Sequence, residues 1–462
     1  MHISEPARIS IPLSESRTPW YQELNRYHWF VLIVAALGWL FDTMDQQLFN
    51  LARVPAIREL LTTSAGVVPS DRIVAEYAGY ATAIFLIGWA TGGLFFGVLG
   101  DRIGRAKTML WTILIYSLCT GLSAFAVGFW DFAFYRFLTG LGVGGEFAVG
   151  VALVAEVMPE RARPFALGLL QALSAVGNIA AAGISLGLGR LEETGAVGSA
   201  WRWMFVVGMF PALLAILIRR RLKEPERWQN VTGSDLPSRQ LGSYRELFAD
   251  RRWRKRALAG MVLAFAGVVG VWGIGFFSID LIRLVLRGHL ESQGLTEAAV
   301  SGRLTFWAGI TSITLNVGAF FGIYAFSHLT HRLGRRTAFA GTLILAMLTT
   351  ALVFWTLNDF SDIFWMIPLM GFCQLALFGG YAIYFPELFP THLRSTGTSF
   401  CYNVGRFAAA LGPLTLGLLT SRVFADYPEP MRYAGVTMCS VFLLGLLALP
   451  FLPETRNQPL PD

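Results

Sequence analysis

Ionisable side chains stand inside segments of this chain that are otherwise apolar, where each costs about 2.5–3.5 kcal/mol at the middle of a membrane helix. Asp42 and Asp45 are three positions apart in one such segment, so in a helix they share a face about 4.5 Å apart along the axis. Repulsion between close carboxyl groups, together with burial, disfavours the state in which both are ionised. The pair indicates reversible proton binding, with Asp45 the first candidate because it lies nearer the outer end of its segment; the alternative is an acid that is held by an arginine and never titrates.

Two further charges stand in a later apolar segment. Arg136 lies at a depth similar to that of Asp45, so we predict that the two side chains pair and that protonation of the acid releases the arginine. The alternative is a static salt bridge that tethers two helices. Glu146 is ten residues further along, near mid-membrane, and needs its own partner or a proton; it either faces a substrate or is held by polar neighbours.

Arg406 is a cation in a segment near the end of the chain, one helical turn from Asn403. The fork of N–H groups on a guanidinium suits a carboxylate. We therefore predict that Arg406 and Asn403 help to bind an anionic substrate, with pairing between Arg406 and Glu146 as the alternative when no substrate is bound.

Other polar side chains in apolar surroundings need hydrogen-bond partners or a wet cavity. The softer candidates for substrate contact are Gln46, Gln171, Asn178, Asn316, Gln374 and Tyr381. The six His lie away from the centres of the apolar segments, and the four Cys lack paired spacing, so we expect neither a metal site nor catalytic residues.

The segments that position these residues are membrane spans. The chain has 462 residues, of which 54% are hydrophobic and only 15% charged, a composition unsuited to a soluble surface. Twelve apolar stretches are long enough to cross a hydrocarbon layer of about 30 Å. We number them spans 1 to 12, near residues 29–50, 77–98, 108–128, 130–155, 165–188, 203–219, 257–284, 304–326, 338–357, 363–385, 396–420 and 433–452.

The predicted domains follow from these spans. Two bundles of six helices, at 29–219 and 257–452, are joined by a linker at 220–256 that carries charge, Pro and Gly. A polar segment at 1–28 precedes them and a tail at 453–462 follows. The predicted fold class is an all-α integral membrane protein with two pseudo-symmetric bundles.

The second bundle repeats the first at an offset of 230 or 231 residues. The segments 97–107 and 327–337 correspond, as do 156–163 and 387–394, which share the pattern Glu-x-x-Pro-x-x-x-Arg. Internal repeats of this kind are typical of secondary transporters.

The repeat does not extend to the charges. Ile367 stands where the first half has Arg136, and Trp272 and Gly275 stand near the positions of Asp42 and Asp45. The first half therefore holds the titratable groups, whereas Arg406 belongs to the second.

Twelve spans with the motif Gly97-x-Leu99-Gly100-Asp101-Arg102-x-Gly104-Arg105-x-Lys107 between spans 2 and 3 resemble the major facilitator superfamily. The stretch 136–146 on span 4, the acid pair of span 1 and the opening Pro19-Trp20-Tyr21 with Asn25-Arg26 resemble the metabolite:proton symporters, particularly the sialate and aromatic-acid branches. The resemblance implies proton-driven uptake of a small organic acid by a monomer with no enzymatic activity and no cofactor besides the proton.

The resemblance also implies a cytoplasmic gate, in which Asp101 lies against the N-terminus of span 11 and Arg105 pairs with acids. We expect Glu156 to pair with Arg163, and Glu387 with Arg394. His331 occupies the position of Asp101 in the second half, which predicts a weaker or pH-dependent latch there. The predicted gate residues are Gly97, Asp101, Arg102, Gly104, Arg105, Glu156, Arg163, Arg335, Glu387 and Arg394.

The function predicted from these residues is proton-coupled symport of a monocarboxylate, aromatic acid or sugar acid by alternating access. The alternatives are a carrier of neutral sugars or polyols, an exporter of drugs or organic cations, and a non-transporting sensor. Lys and Arg are concentrated on the side that also holds both termini, which indicates that the termini are cytoplasmic. The resemblance implies a bacterial inner membrane. The net charge of +7 reflects this bias, so we expect the lipid bilayer and a small substrate as partners and no nucleic acid.

Overall fold

The computed structural model describes residues 19–66, 68–213, 218, 221–233, 241–293, 297–409 and 412–461. Within these ranges the chain is helical and contains no strand, as predicted. The first 18 residues of the predicted N-terminal segment lie outside the described ranges, as do parts of span 6 and of the linker.

The helices of the first half follow the predicted spans and extend past most of them. Span 1 begins at Arg26 because the Asn25 side chain caps it, accepting from the backbone N–H of His28 at 2.8 Å. The helices are Arg26–Ala65, Asp71–Ile103, Arg105–Ser123, Phe129–Val157, Arg163–Glu193 and Ala200–Val207.

The connection between the halves contains two short helices, Glu226–Thr232 and Tyr244–Ala249. Both lie against the ends of the spans, where the Trp228 indole donates a hydrogen bond to the carbonyl of Asp101 at 2.8 Å. We call this side of the bundle, which carries residues 221–233 and 241–250, the linker face.

The second half repeats the arrangement with more interruptions. Span 7 consists of the helix Arg251–Val268, a π-helical turn at Val269–Ile274, a 3-10 turn at Gly275–Phe277 and the helix Ser278–Ser292. The remaining helices are Glu297–Leu333, Arg335–Thr356, Asp362–Leu388, Arg394–Ala409, Gly412–Leu418, Pro430–Met438 and Val441–Ala448. Within the described ranges, nine helices are long and apolar enough to cross a membrane.

Spans 2 and 4 pack backbone against backbone, because a Cβ atom at Gly92 would overlap the carbonyl of Leu141. The second half repeats this contact between spans 8 and 10, where a Cβ atom at Gly322 would overlap the carbonyl of Phe372. Small residues at such crossings let membrane helices approach closely. These contacts bring the backbones of spans 2 and 4, and of spans 8 and 10, into direct contact.

Candidate functional site

Asp45 and Arg136 form a buried ion pair between spans 1 and 4. The distance from Asp45 Oδ2 to Arg136 Nη1 is 3.8 Å, and both side chains are fully buried. The hydroxyl of Thr120 donates to Asp45 Oδ1 at 2.8 Å, and Arg136 donates to Ser123 Oγ at 2.7 Å. The structure therefore brings together the two side chains whose depths predicted a pair, and it supplies hydroxyl partners from span 3.

Asp42 and Glu146, in contrast, have no hydrogen-bond partner on any of their four carboxyl oxygens, although both are buried. Glu146 lies in a space that Gly38 of span 1 leaves open, since a Cβ atom there would overlap Glu146 Oε1. Asp42 lies within electrostatic range of Glu146, Asp45 and Arg406. The acids nearest the centre of the bundle are thus the unsatisfied ones, and unsatisfied buried charge is expensive.

Arg406 reaches the same region from the second half without pairing with Glu146, whose oxygens accept no hydrogen bond. Its guanidinium carbon lies 3.8 Å from the ring centroid of Trp89 and 4.4 Å from that of Tyr402. Its Nε is buried with no partner. The alternative of an Arg406–Glu146 pair is therefore wrong for this conformation, because two rings occupy the space beside the cation.

Asn403 lies one turn from Arg406 and contacts span 2. Its side-chain N–H donates to the carbonyl and to the hydroxyl of Ser399, both at 3.1 Å, whereas its Oδ1 is buried and unpaired. It packs on Gly93, where a Cβ atom would overlap the amide. Gln46 and Gln171 are also buried, and Gln171 Oε1 has no partner.

The remaining predicted contacts for substrate are engaged elsewhere in the bundle. Asn178 donates to Asn316 at 2.9 Å, which joins span 5 to span 8 across the halves. Gln374 donates to Thr350 at 2.6 Å, and the Tyr381 hydroxyl donates to the carbonyl of Leu263 at 2.9 Å. The last two bonds tie spans within the second half, and a role of these residues in substrate binding stays a prediction.

Sequence reasoning missed the contribution of span 3. Tyr116 and Thr120 face the acids, and the buried Tyr116 hydroxyl has no hydrogen-bond partner and lies in electrostatic range of Glu146 and Asp42. Tyr116, Thr120 and Ser123 recur at positions i, i+4 and i+7, the spacing of one helical face. That spacing was the available signal.

Asp101 lies against the N-terminus of span 11. Its carboxylate accepts from the backbone N–H groups of Ser395 at 3.1 Å and Thr396 at 2.8 Å, and from the Thr396 hydroxyl at 2.7 Å. Free N–H groups and the helix dipole favour an anion at such an end. Gly97 permits this approach, because a Cβ atom there would overlap Cβ of Ser399.

Glu156 joins the two halves on the same face of the bundle as Asp101. It accepts from Arg105 of its own half at 2.9 Å and from Arg394 of the other half at 2.6 Å. The expected pair of Glu156 with Arg163 is wrong, since Arg163 donates instead to the carbonyl of Ala155 at 2.9 Å. Glu156 points across the interface, where the facing arginine belongs to the opposite half.

The expected pair of Glu387 with Arg394 is also wrong, because Arg394 pairs with Glu156 of the first half. Glu387 instead pairs with Arg335 at 2.8 Å, within the second half. Arg102 is exposed and donates to the carbonyl of Leu241 at 3.1 Å, which fastens the linker to span 2. The predicted gate residues thus lie on the linker face, but only some of their partners were predicted from the sequence.

Two acidic residues cap the helices that follow the gate turns. Gly104 and Gly334 adopt φ of +113° and +90°, which glycine tolerates best. The backbone N–H groups that follow each of these turns donate hydrogen bonds to a glutamate. Glu224 caps span 3, and Glu454 caps span 9 through Arg335 at 2.9 Å. Burial would raise the pKa of Glu454, but hydrogen bonds from backbone N–H groups and the nearby Arg335 guanidinium hold it below its ordinary value.

Comparison with known proteins decides the family. Residues 35–413 match the Major Facilitator Superfamily. The chain belongs to this superfamily. A Haemophilus influenzae protein named for metabolite transport is 30% identical over 95% of this chain and 99% of its own length.

Other superfamily relatives carry the names of organic-acid transporters. The cis,cis-muconate transport protein of Acinetobacter baylyi is 28% identical over 92% of this chain and 95% of its own length. The sialic acid transporter NanX of Escherichia coli is 27% identical, over 93% and 96%. These relatives are transporters and not enzymes.

A solved structure of the superfamily shares the fold. The proton:xylose symporter XylE superposes with a TM-score of 0.70 at 17% identity, covering 94% of this chain and 98% of that chain. The predicted all-α major facilitator fold is confirmed, and the chain is a multi-pass membrane protein.

Proposed function

We propose that this chain is a proton-coupled symporter of a small organic anion, a monocarboxylate, aromatic acid or sugar acid, that works by alternating access. The observation that carries the proposal is the difference between the two buried arginines in the cluster of charged side chains formed by Asp42, Asp45, Arg136, Glu146 and Arg406. Arg136 has its acid, whereas Arg406 is not hydrogen-bonded to Asp42, the acid within its electrostatic range, and the carboxyl oxygens of Asp42 and of the neighbouring Glu146 have no hydrogen-bond partner.

The charges in the cluster supply the coupling. Three acids, Asp42, Asp45 and Glu146, lie near two arginines, Arg136 and Arg406, which leaves one excess negative charge when all are ionised. One proton on Asp42 or Glu146 neutralises the cluster. An incoming carboxylate at Arg406 adds a further negative charge, and in a water-poor site each added charge calls for a proton.

This arrangement changes the first candidate for the proton. Asp45 is held by Arg136 and Thr120, so it acts as the static partner of the arginine. Asp42 and Glu146 carry the exchangeable protons. The Tyr116 hydroxyl has no hydrogen-bond partner and lies in electrostatic range of both acids, which supports a role for Tyr116 in passing a proton between them.

The closed linker face defines one end of the transport cycle. The contact of Asp101 with the N-terminus of span 11 and the ion pair of Glu156 with Arg394 hold the two halves together there. The distribution of Lys and Arg indicates that this face is cytoplasmic. Opening of this face, with closure of the other, releases substrate and proton to the cytoplasm. The protein acts as a monomer in the inner membrane, with the proton as coupling ion and no other cofactor.

Proton movement in proteoliposomes with an internal pH dye tests this function. The panel is cis,cis-muconate, N-acetylneuraminate and benzoate, with xylose as the neutral compound. Internal acidification on adding an acid is expected for the wild type. It should be lost in Glu146→Gln and Arg406→Ala, whereas Asp426→Asn, at an exposed acid, serves as the control and should behave as wild type.

The outcomes separate the alternatives. A response to xylose alone would favour a sugar carrier, in which Arg406 is structural. A response to acids that persists in Glu146→Gln and in Asp42→Asn would remove both residues from the coupling step. No response to any compound would contradict proton-coupled symport.

A further inference from the structure

The Arg406 guanidinium is held by aromatic rings from both halves. Trp89 belongs to span 2 of the first half, and Tyr402 lies one turn before Arg406 on span 11, with ring centroids 3.8 Å and 4.4 Å from the guanidinium carbon. Trp89 and Tyr402 are both buried. Contact with an aromatic face attracts a cation without cancelling its charge.

A column of rings fixes Tyr402 in turn. Tyr402 is stacked on Phe147 with centroids 4.0 Å apart and planes inclined by 23°. Phe147 contacts Trp39 of span 1 at 4.9 Å and follows Glu146 in the sequence. The column therefore runs from the cation of the second half to the acid-bearing spans of the first.

Trp89 is packed against neighbouring spans at both its backbone and its ring. A Cβ atom at Gly144 would overlap the carbonyl of Trp89, so span 4 lies directly against this residue. The edge of Trp272 in span 7 lies on the Trp89 ring, with centroids 6.4 Å apart and planes at 84°. Movement of the indole away from the guanidinium would break its contact with Trp272 of span 7.

The competing partner for Arg406 is Asp42, which lies within electrostatic range. A direct ion pair between them would satisfy both groups and would occupy the N–H groups that a substrate needs. The rings hold the guanidinium by its π-contacts and leave its Nε unpaired. A cation kept charged but unpaired is what a carboxylate substrate requires.

We propose that Trp89 and Tyr402 are positioning residues that hold Arg406 away from Asp42 and ready for a substrate carboxylate. Because Trp89 comes from the opposite half, the affinity for the carboxylate is highest only when spans 2 and 11 are in contact. This inference rests on the proposed function, since it names the residues that prepare its binding cation.

The test measures the initial rate of acid-dependent proton uptake in proteoliposomes against the concentration of each acid of the panel. Trp89→Leu and Tyr402→Leu remove the rings, whereas Trp89→Phe and Tyr402→Phe keep an aromatic face. We expect each Leu variant to raise KM about tenfold, the equivalent of about 1.4 kcal/mol, with Vmax within about twofold of wild type. The Phe variants should stay within about threefold in KM.

The control is Trp111→Leu, because Trp111 is an indole of span 3 that is 53% exposed on the outside of the bundle; its KM should equal that of wild type. A wild type that responds to acids while both Leu variants keep its KM, or lose only Vmax, would overturn this inference and leave the proposed function standing. A wild type that responds to no acid overturns the proposed function, and this inference with it. Variants at two positions keep the test decisive if one of them fails to fold.

Discussion

The two latches on the linker face occupy equivalent places in the repeat, but they are built from different chemistry. Where span 2 meets span 11, the Asp101 carboxylate accepts from the N–H groups of Ser395 and Thr396. Where span 8 meets span 5, the repeat places His331 at the position of Asp101.

The residues on the facing helix that bind Asp101 in the first latch are also replaced in the second latch. Pro164 stands at the position of Ser395 and offers no N–H, and Phe165 replaces Thr396 and its hydroxyl. Phe165 instead contacts the rings of His331 at 5.3 Å and His328 at 4.8 Å. Acid and acceptor helix have diverged together, so the second latch is an aromatic contact and not an ionic one.

The N-terminal segment completes the second latch. Trp20 stacks on Phe165 with centroids 5.8 Å apart and planes at 11°. Beside this contact, an ion pair of Glu23 with Arg161 at 2.8 Å fastens the segment to its own half and does not cross between the halves. His331 faces the cations Arg161, Arg335 and Arg456.

Hydrogen bonds that only stabilise the ends of helices are the same in both halves. Arg202 donates to carbonyls at the end of span 3, and Arg432, 230 residues on, does the same at the end of span 9. Asp131 and Asp362 cap spans 4 and 10 through the N–H groups of the preceding turn. The duplication thus retained what folds each bundle and diverged where the halves bind, couple and latch.

The largest expected effect comes from making the first half resemble the second at the ion pair. Asp45→Asn leaves Arg136 as an unpaired buried cation and should lower the free energy of unfolding by about 3 kcal/mol. Adding Arg136→Ile, the residue of the second half at this position, should restore most of that loss. Thermal unfolding of the single and double variants measures it, and a double variant no more stable than Asp45→Asn would show that the pair does not act as a unit.

A smaller effect is expected at the ionic latch. Asp101→Asn removes the charge from the N-terminus of span 11 and should weaken the closed linker face by about 2 kcal/mol. Spin labels at Lys107 and Arg336, which are exposed on opposite halves of this face, report the distance between the halves. An unchanged distance distribution in Asp101→Asn would contradict the latch.

The aromatic latch should contribute less. Phe165→Leu keeps apolar bulk but removes the ring that Trp20 and His331 contact, which should weaken closure by about 1 kcal/mol. The same spin-label pair measures it. Phe95→Leu, at a ring that is 59% exposed, is the matched control; if both variants shift the distances equally, the contact with Phe165 is not a latch.

The smallest effects should be equal in the two halves. Glu224→Gln and Glu454→Gln each weaken one helix cap and should cost about 0.5–1 kcal/mol of stability. Since the pKa of Glu454 is held below its ordinary value in the folded protein, its contribution is complete above the unfolded pKa of about 4.3 and is lost as the pH falls below it. The difference in stability between wild type and Glu454→Gln should therefore be constant from about pH 8 to pH 5 and shrink in more acidic buffer.

The sequence specified the fold and the charged pairs that depth alone determines. Asp45 and Arg136 met as predicted because both lie near the outer ends of neighbouring spans. Glu156 and Arg163 did not, because spacing along the chain cannot tell which half provides the facing side chain. The rings around Arg406 went unpredicted because aromatic residues in apolar spans give no signal that separates a cation contact from ordinary packing.

Gly38 has a consequence for how coupling can be lost during evolution. Any side chain at this position would take the space of the Glu146 carboxyl group, yet alanine is a good helix residue and suits span 1. A glycine codon becomes an alanine codon by one base change. A lineage could therefore lose the central acid's place in the cluster through one substitution at a position that carries no charge, with the fold and both latches left intact.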